Sequence, residues 1–298
     1  MPVRKENVMR FVRFAEKGEE GLAIEEHGVL HGLLATDRNF PGTLDSLVSD
    51  SEAIADAAVK LRAGKRITAA IDYLAPFTAS KKIICVGLNY RDHSAESGYA
   101  QPPYPTVFGR FTSSLIGHKT AMVRPQLSNT LDYEGELVAV IGKGGSKIAE
   151  QDALDHVAGY SIFNDGSIRE FQHITPQWTI GKNFDSTGAF GPAFVTADEL
   201  PAGCLGLTLE TRLNGQVVQH AKIDDMVFSV AELVALMSRT MTLEPGDMIV
   251  TGTPSGVGAA RKPQLFMKPG DICEVEIEKL GVLVNTVVDE TADAQAAA

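Results

Sequence analysis

The stretch DYEGELVAVIG, residues 132–142, carries Glu134 and Glu136 directly into an apolar run, Leu137 to Ile141. Such a run reads as a half-buried strand. Side chains at i and i+2 of a strand share a face, so the two carboxylates should stand side by side about 6–7 Å apart. Buried anions have to be paired, neutralised or bound to a metal. Whatever fold this chain adopts must therefore resolve that conflict through residues elsewhere in the chain or a bound cation.

The sequence around it is punctuated by turns. Asn214-Gly215 lies between the alternating flanks LETRL and QVVQH, a two-residue hairpin signal. EPGDMIV and KPGDICEVEIEKLGVLV repeat one device, a Pro-Gly-Asp turn feeding a strand. Helical spacing is confined to three places. One is near residues 50–62, where Ser49 and Glu52 fit a capping box and Ile54, Ala58 and Leu61 recur at helical intervals. The others are Gln151 to Val157, and Ser229 to Arg239 with a capping box through Ser229 and Glu232. Many strands and few helices predict a strand-rich α+β fold, a mixed β barrel or roll and not a doubly wound sheet. Ahead of it, RFVRFAEKG and EGLAIEEHGVLHGLL read as short strands with turns. The segment Pro76 to Ser80 then separates a small N-terminal α+β domain, 1–78, from a larger domain, 79–298.

Composition narrows the function. A chain of 298 residues with 44% hydrophobic content can bury a large core. Its net charge of −11 speaks against a nucleic-acid partner, which needs a basic surface. No run approaches the ~20 apolar residues that span a bilayer, and the opening MPVRKENVMRFVRF lacks the apolar stretch of a signal peptide. A cytoplasmic location with no membrane association is the expectation. Cys85, Cys204 and Cys273 are odd in number and far apart, so plain buried thiols are expected in place of a disulfide framework or a zinc site. His118, His156, His173 and His220 show no metal spacing, and the Gly-rich IGKGGSK and TGTPSGVG lack phosphate-loop spacing and read as turns.

A third acid, Asp165, ends the apolar run VAGYSIFND. With Glu134 and Glu136 it makes an all-oxygen site, which suits Mg²⁺ or Mn²⁺ better than Zn²⁺. Four segments in this order, DYEGELVAVIG, GYSIFNDGSIREFQ, WTIGKNFDSTGAFGP and TGTPSGVG, with VGLNYRDHSAESG ahead of them, resemble the fumarylacetoacetate hydrolase family from about residue 80 onward. The resemblance implies a mixed β-sandwich or roll of that family's C-terminal domain type. It implies Glu134, Glu136 and Asp165 as ligands of one divalent cation, Mg²⁺ or Mn²⁺. His93 and Glu96, three apart on a helical turn in a lid segment, would be the general base and the carboxylate that orients it. Lys182 would face the oxyanion that builds on the substrate, Arg169 and Gln172 would lie near substrate or metal, and the Thr253 hydroxyl would bind the substrate carboxylate. Many relatives carry Asp where this chain has Glu170, and FDSTGAFGP departs from the commoner segment after the lysine.

The chemistry so implied acts on a small 2-oxo acid. The leading expectation is a metal-dependent acylpyruvate hydrolase that cleaves a C–C bond in a compound such as fumarylpyruvate or maleylpyruvate, releasing pyruvate and a carboxylic acid in aromatic catabolism. The alternative on the same site is an oxaloacetate decarboxylase or a dienedioate isomerase/decarboxylase. A non-catalytic protein with a structural cation is the reading from another class. The resemblance also implies a homodimer.

Overall fold

In the computed structural model, residues 9–96, 98 and 100–291 are described; the opening segment ahead of Met9, and Ser97 of the lid motif, lie outside them. The N-terminal apolar stretches form an antiparallel meander of β1 (Arg10–Glu16), β2 (Glu19–Glu26) and β3 (Val29–Leu34). Helix α1 (Ser51–Arg62) follows and buries Ile54, Ala57, Ala58 and Leu61. Its N-cap is Asp50, not the expected Ser49. The Asp50 Oδ1 accepts the backbone N–H groups of Glu52 at 2.9 Å and Ala53 at 3.1 Å, and a carboxylate at that end also meets the positive pole of the helix dipole.

The chain then runs through β4 (Ile83–Gly87), the short helix α2 (Arg91–Glu96) and β5 (Thr106–Arg110). Next come the central strands β6 (Gly135–Ile141), β7 (Val157–Asp165) and β8 (Gly188–Thr196). The hairpin predicted at Asn214-Gly215 joins β9 (Thr208–Leu213) to β10 (Gln216–Lys222). Helix α3 (Val230–Thr240) opens on the expected capping box, with Ser229 Oγ accepting from Glu232 N and Glu232 Oε2 accepting from Ser229 N. The chain ends through β11 (Met248–Val250), β12 (Ile272–Ile277) and β13 (Gly281–Asp289). The segment expected to be helical at Gln151 to Val157 is a 3₁₀ stretch, Glu150–His156, that fully buries only Ala153. One buried side chain gives no apolar stripe for an α-helix to lay against the core.

Among the described residues the strands assemble into two mixed sheets and a two-stranded ladder, Leu131–Asp132 with Ser167–Ile168. A twelve-stranded sheet runs β3-β2-β1-β8-β7-β6-β11-β4-β5, completed by two-residue strands, and a five-stranded sheet runs β10-β9-β12-β13 with Met122–Arg124 at its end. Because β1 pairs with β8 (Phe11 opposite Phe194), the large sheet is continuous across Pro76 to Ser80.

β6 sits inside the large sheet and is buried along its whole length, where a half-buried strand was expected. Leu137, Ala139 and Ile141 enter a core that also holds Leu209, Val275 and Leu233, whereas Val138 and Val140 enter a second core with Phe77, Phe194 and Leu61 of α1. A strand covered on both faces reads as a continuous apolar run. Glu136, opposite Phe163 of β7, is therefore buried. The three cysteines are buried and unbridged. Among the described residues no helix is long and apolar enough to cross a membrane.

Candidate functional site

The β6–β7 register brings the acids together. Gly135 pairs with Asn164, and the Asp165 N–H donates to the Glu134 carbonyl at 2.8 Å, so the end of β7 lies beside the start of β6. Glu134, Glu136 and Asp165 are all buried and each offers one carboxylate oxygen within 4.8 Å of the others.

Three cations answer them. Lys182 Nζ lies 2.6 Å from Glu134 Oε2 and 2.6 Å from Asp165 Oδ2, and its side chain is only 1% exposed. Arg169 places Nη1 2.6 Å from Glu134 Oε1 and Nε 2.8 Å from Asp132 Oδ2. Arg110, at the end of β5, pairs with Asp165 Oδ1 and is itself fixed by Thr187 Oγ1 at 2.7 Å and Ser114 Oγ at 3.1 Å. Lys182 and Arg169 share one carboxylate, and their short helices, Thr179–Lys182 and Arg169–Gln172, pack closely against each other. Gly181 allows that approach: a Cβ there would lie 2.2 Å from the Gln172 nitrogen.

The balance of charge is uneven. Burial alone would raise the Glu134 carboxyl, but Lys182 and Arg169 outweigh it and bring the pKa down to about 2. Burial raises Glu136 well above the usual carboxylate range, and the charges of Asp165 and Glu134 push it further. Burial would lower Lys182, yet Asp165 and Glu134 hold it above the ordinary lysine value, so it stays an ammonium. Asp132, Glu134, Glu136 and Asp165 are thus four buried carboxylates against three buried cations. Among the described residues Glu136 has no ion-pair partner and only the Gly252 N–H, at 2.6 Å, to meet it. A dipositive ion among three carboxylate oxygens would more than offset that single excess negative charge and would give Glu136 a partner, and an all-oxygen donor set is what a hard divalent cation takes. The residues present fit the group.

His93 and Glu96 stand one turn apart on α2, with His93 Nδ1 3.0 Å from Glu96 Oε1. His93, Glu96, Glu134, Glu136, Arg169, Gln172, Lys182 and Thr253 all line one cavity of about 240 Å³; Asp165, wholly buried, does not line it. Gln172 accepts from Arg169 Nη1 through Oε1 at 2.8 Å, leaving its NH₂ end for a ligand. Arg169 keeps one buried nitrogen, Nη2, without a partner. Thr253 donates its hydroxyl proton to the Gly135 carbonyl at 3.0 Å and accepts from Gln219 at 2.8 Å, so giving that proton to a substrate carboxylate would require breaking the bond to Gly135.

Sequence reasoning passed over several contributors. Arg110 and Asp132 are two: the first fixes a triad carboxylate, the second fixes Arg169. His173 and Trp178 line the cavity as well. Asp132 was legible in principle, being the first letter of the acidic motif. His118 and His220 lie elsewhere, the first accepting from Val284 N and the second 3.5 Å from Glu210. Trp178 is the only tryptophan in the chain and packs 5.6 Å from Phe108, centroid to centroid. Oxalate titrated into Mg²⁺-loaded protein is therefore expected to give a saturable change in indole emission. Flat emission while calorimetry registers binding would place the ligand away from this wall.

Residues 82–288 match the family described as fumarylacetoacetate (FAA) hydrolase C-terminal. The mitochondrial oxaloacetate tautomerase fahd2 of Xenopus laevis is 39% identical over 289 residues, covering 94% of this chain and 90% of the relative. The solved fumarylacetoacetate hydrolase of the psychrophile Exiguobacterium antarcticum superposes with a TM-score of 0.82 at 34% identity, covering 95% of this chain and 100% of that one. The maleylpyruvate hydrolase of Sphingobium sp. SYK-6 superposes with a TM-score of 0.78 at 26% identity, over the same shares of the two chains.

Proposed function

Because the chain belongs to the fumarylacetoacetate hydrolase family, we propose that it is an enzyme that moves a proton at carbon 3 of a small 2-oxo diacid, interconverting the enol and keto forms of oxaloacetate. The observation that carries this reading is that an oriented His–Glu pair and a buried ammonium open on the same small cavity as Glu134 and Glu136, two acids of the triad. Proton transfer next to a carbonyl needs those two things: a base at the carbon, and positive charge where the oxygen turns negative. The relative that covers nine-tenths of both chains bears the name oxaloacetate tautomerase. A cavity of about 240 Å³ lies below the roughly 300–1,000 Å³ of sites for drug-sized ligands, which favours a four-carbon acid.

Glu96 accepts the Nδ1–H of His93 and so leaves Nε2 as the basic nitrogen. That nitrogen removes a proton from C3 of the keto form and returns it to the C2 oxygen as the enol forms; the reverse sequence ketonises. Lys182, kept protonated by Glu134 and Asp165, stabilises the negative oxygen in between. The NH₂ end of Gln172 and the guanidinium of Arg169 hold a substrate carboxylate. A divalent cation, Mg²⁺ or Mn²⁺, held by Glu134, Glu136 and Asp165, would supply Lewis-acid stabilisation of the same developing charge.

The second reading is acylpyruvate hydrolysis, in which His93 takes its proton from a water that attacks the distal carbonyl; the likeness to a maleylpyruvate hydrolase favours it. One assay separates them. Mg²⁺-loaded protein is expected to speed the decay of enol-oxaloacetate absorbance with no release of CO₂ or pyruvate. Enol decay at the background rate, with pyruvate and fumarate appearing in equal amounts from fumarylpyruvate, would establish the hydrolytic reading instead. CO₂ from oxaloacetate would mark a decarboxylase.

A further inference from the structure

We propose that Tyr133 and Arg261 are positioning residues for the His93–Glu96 pair and act through the backbone of Gly256; the proposal rests on the reading of His93 as the proton carrier. The Gly256 N–H donates to both carboxylate oxygens of Glu96, at 2.9 Å each, while Glu96 Oε1 holds His93 Nδ1. On its other side the Gly256 carbonyl accepts from the Tyr133 hydroxyl at 3.0 Å and from Arg261 Nε at 3.0 Å. Arg261 Nε also lies 3.1 Å from the Tyr133 oxygen, and Arg261 Nη2 donates to the Val218 carbonyl. An unbroken chain of hydrogen bonds thus leads from Arg261 and Tyr133 through one residue's backbone to the acid–base pair.

Gly256 is suited to this link and other residues are not. Its φ is +104°, and a Cβ there would lie 2.0 Å from the Val218 oxygen, so a side chain would force the loop away from Glu96 and Tyr133 together. Tyr133 is buried and directly precedes Glu134, the first acid of the triad. The clamp therefore registers the proton carrier to the segment that bears the acids, although 160 residues of chain separate Glu96 from Gly256.

α2 needs such a hold. It has six residues, far below the ~12–15 that make an isolated helix even marginal, so its seat comes from tertiary bonds. Proton transfer is sensitive to that seat: displacing a reacting group by about 1 Å can cost about a hundredfold in rate. A purely structural role for Tyr133 and Arg261 would instead lower stability and cation affinity together, without singling out turnover.

The test uses Mg²⁺-loaded full-length protein and the variants Tyr133→Phe and Arg261→Gln, with melting temperatures measured to confirm folding. kcat for oxaloacetate tautomerisation is expected to fall roughly tenfold to a hundredfold, with KM and Mg²⁺ affinity close to wild type. Backbone amides of Arg91–Glu96 should exchange faster in both variants, and Arg261→Lys, which still offers a donor to the Gly256 carbonyl, should recover part of kcat. Unchanged exchange across Arg91–Glu96 in both variants overturns the proposal, and so does a loss of Mg²⁺ affinity that matches the loss of turnover. His93→Ala separates the two layers. If it keeps wild-type kcat, the acid–base reading has failed and the proposal falls with it; if it is inactive while Tyr133→Phe and Arg261→Gln turn over normally, the clamp alone has failed.

Discussion

Glu136→Gln is expected to abolish divalent-cation binding and turnover together while leaving the metal-free protein at least as stable as wild type. Glu136 is the one triad acid with no ion-pair partner among the described residues, and its backbone contact, the Gly252 N–H, can be met equally by the Gln amide oxygen. Burial first, then Asp165 and Glu134, hold its pKa above the ordinary value. An acid whose pKa is higher folded than unfolded costs stability at every pH above the unfolded value, and the cost is absent below it. Gln removes that cost near neutral pH. It also removes the charge for which the cation binds. Wild type at a Mg²⁺ concentration about one hundred times Kd should gain about 2.7 kcal/mol of stability, read as a rise in Tm; Glu136→Gln should show no rise. A variant that still binds Mg²⁺ and turns over would remove the triad from the reaction. A metal-free Tm well below wild type would mean that Glu136 makes a favourable contact which its geometry does not show.

The triad could be found from the chain because its signals are local. Two glutamates sit at strand spacing ahead of an apolar run, and a third acid closes the next one. Their shared face follows from the period of a strand and their approach from antiparallel pairing. His93 and Glu96 are legible for the same reason, three residues apart on one turn. Arg110 was not, because the acid it serves lies 55 residues away and nothing in TVFGR marks its arginine as buried. Burial of β6 on both faces was in plain view as five consecutive apolar residues. The half-buried reading gave weight to the two glutamates, of which the fold pairs Glu134 with Arg169 and Lys182 from two separate segments and leaves Glu136, among the described residues, without an ion-pair partner. Ser49 and Asp50 are both good caps, and only the backbone path, extended at Asp50 with φ −134°, selects between neighbours. The hairpin at Asn214-Gly215 and the capping box at Ser229 came through unchanged, since each is decided within a few residues.

Lys182→Met should separate cation binding from turnover in the opposite sense. Lys182 bridges Glu134 and Asp165, the two acids that also face Arg169 and Arg110. Breaking a buried pair from one side leaves its anions with less positive charge around them, a loss on the order of 3–5 kcal/mol, and the metal-free variant should melt well below wild type. Those same under-compensated carboxylates are better ligands for a dipositive ion. Mg²⁺ should therefore bind at least as tightly as in wild type, and its effect on Tm should be larger. Turnover should still fall by roughly 10²–10³, the usual effect of removing one group aimed at a developing oxyanion. A bound cation would share that role without taking it over, because Lys182 reaches the cavity as a second, separate positive charge that Glu134 and Asp165 keep protonated. Turnover within tenfold of wild type in the Mg²⁺-loaded variant would reduce Lys182 to a counter-ion for the empty acid cluster. A drop in both Mg²⁺ affinity and turnover would mean that the lysine holds Glu134 and Asp165 in the geometry that the cation requires.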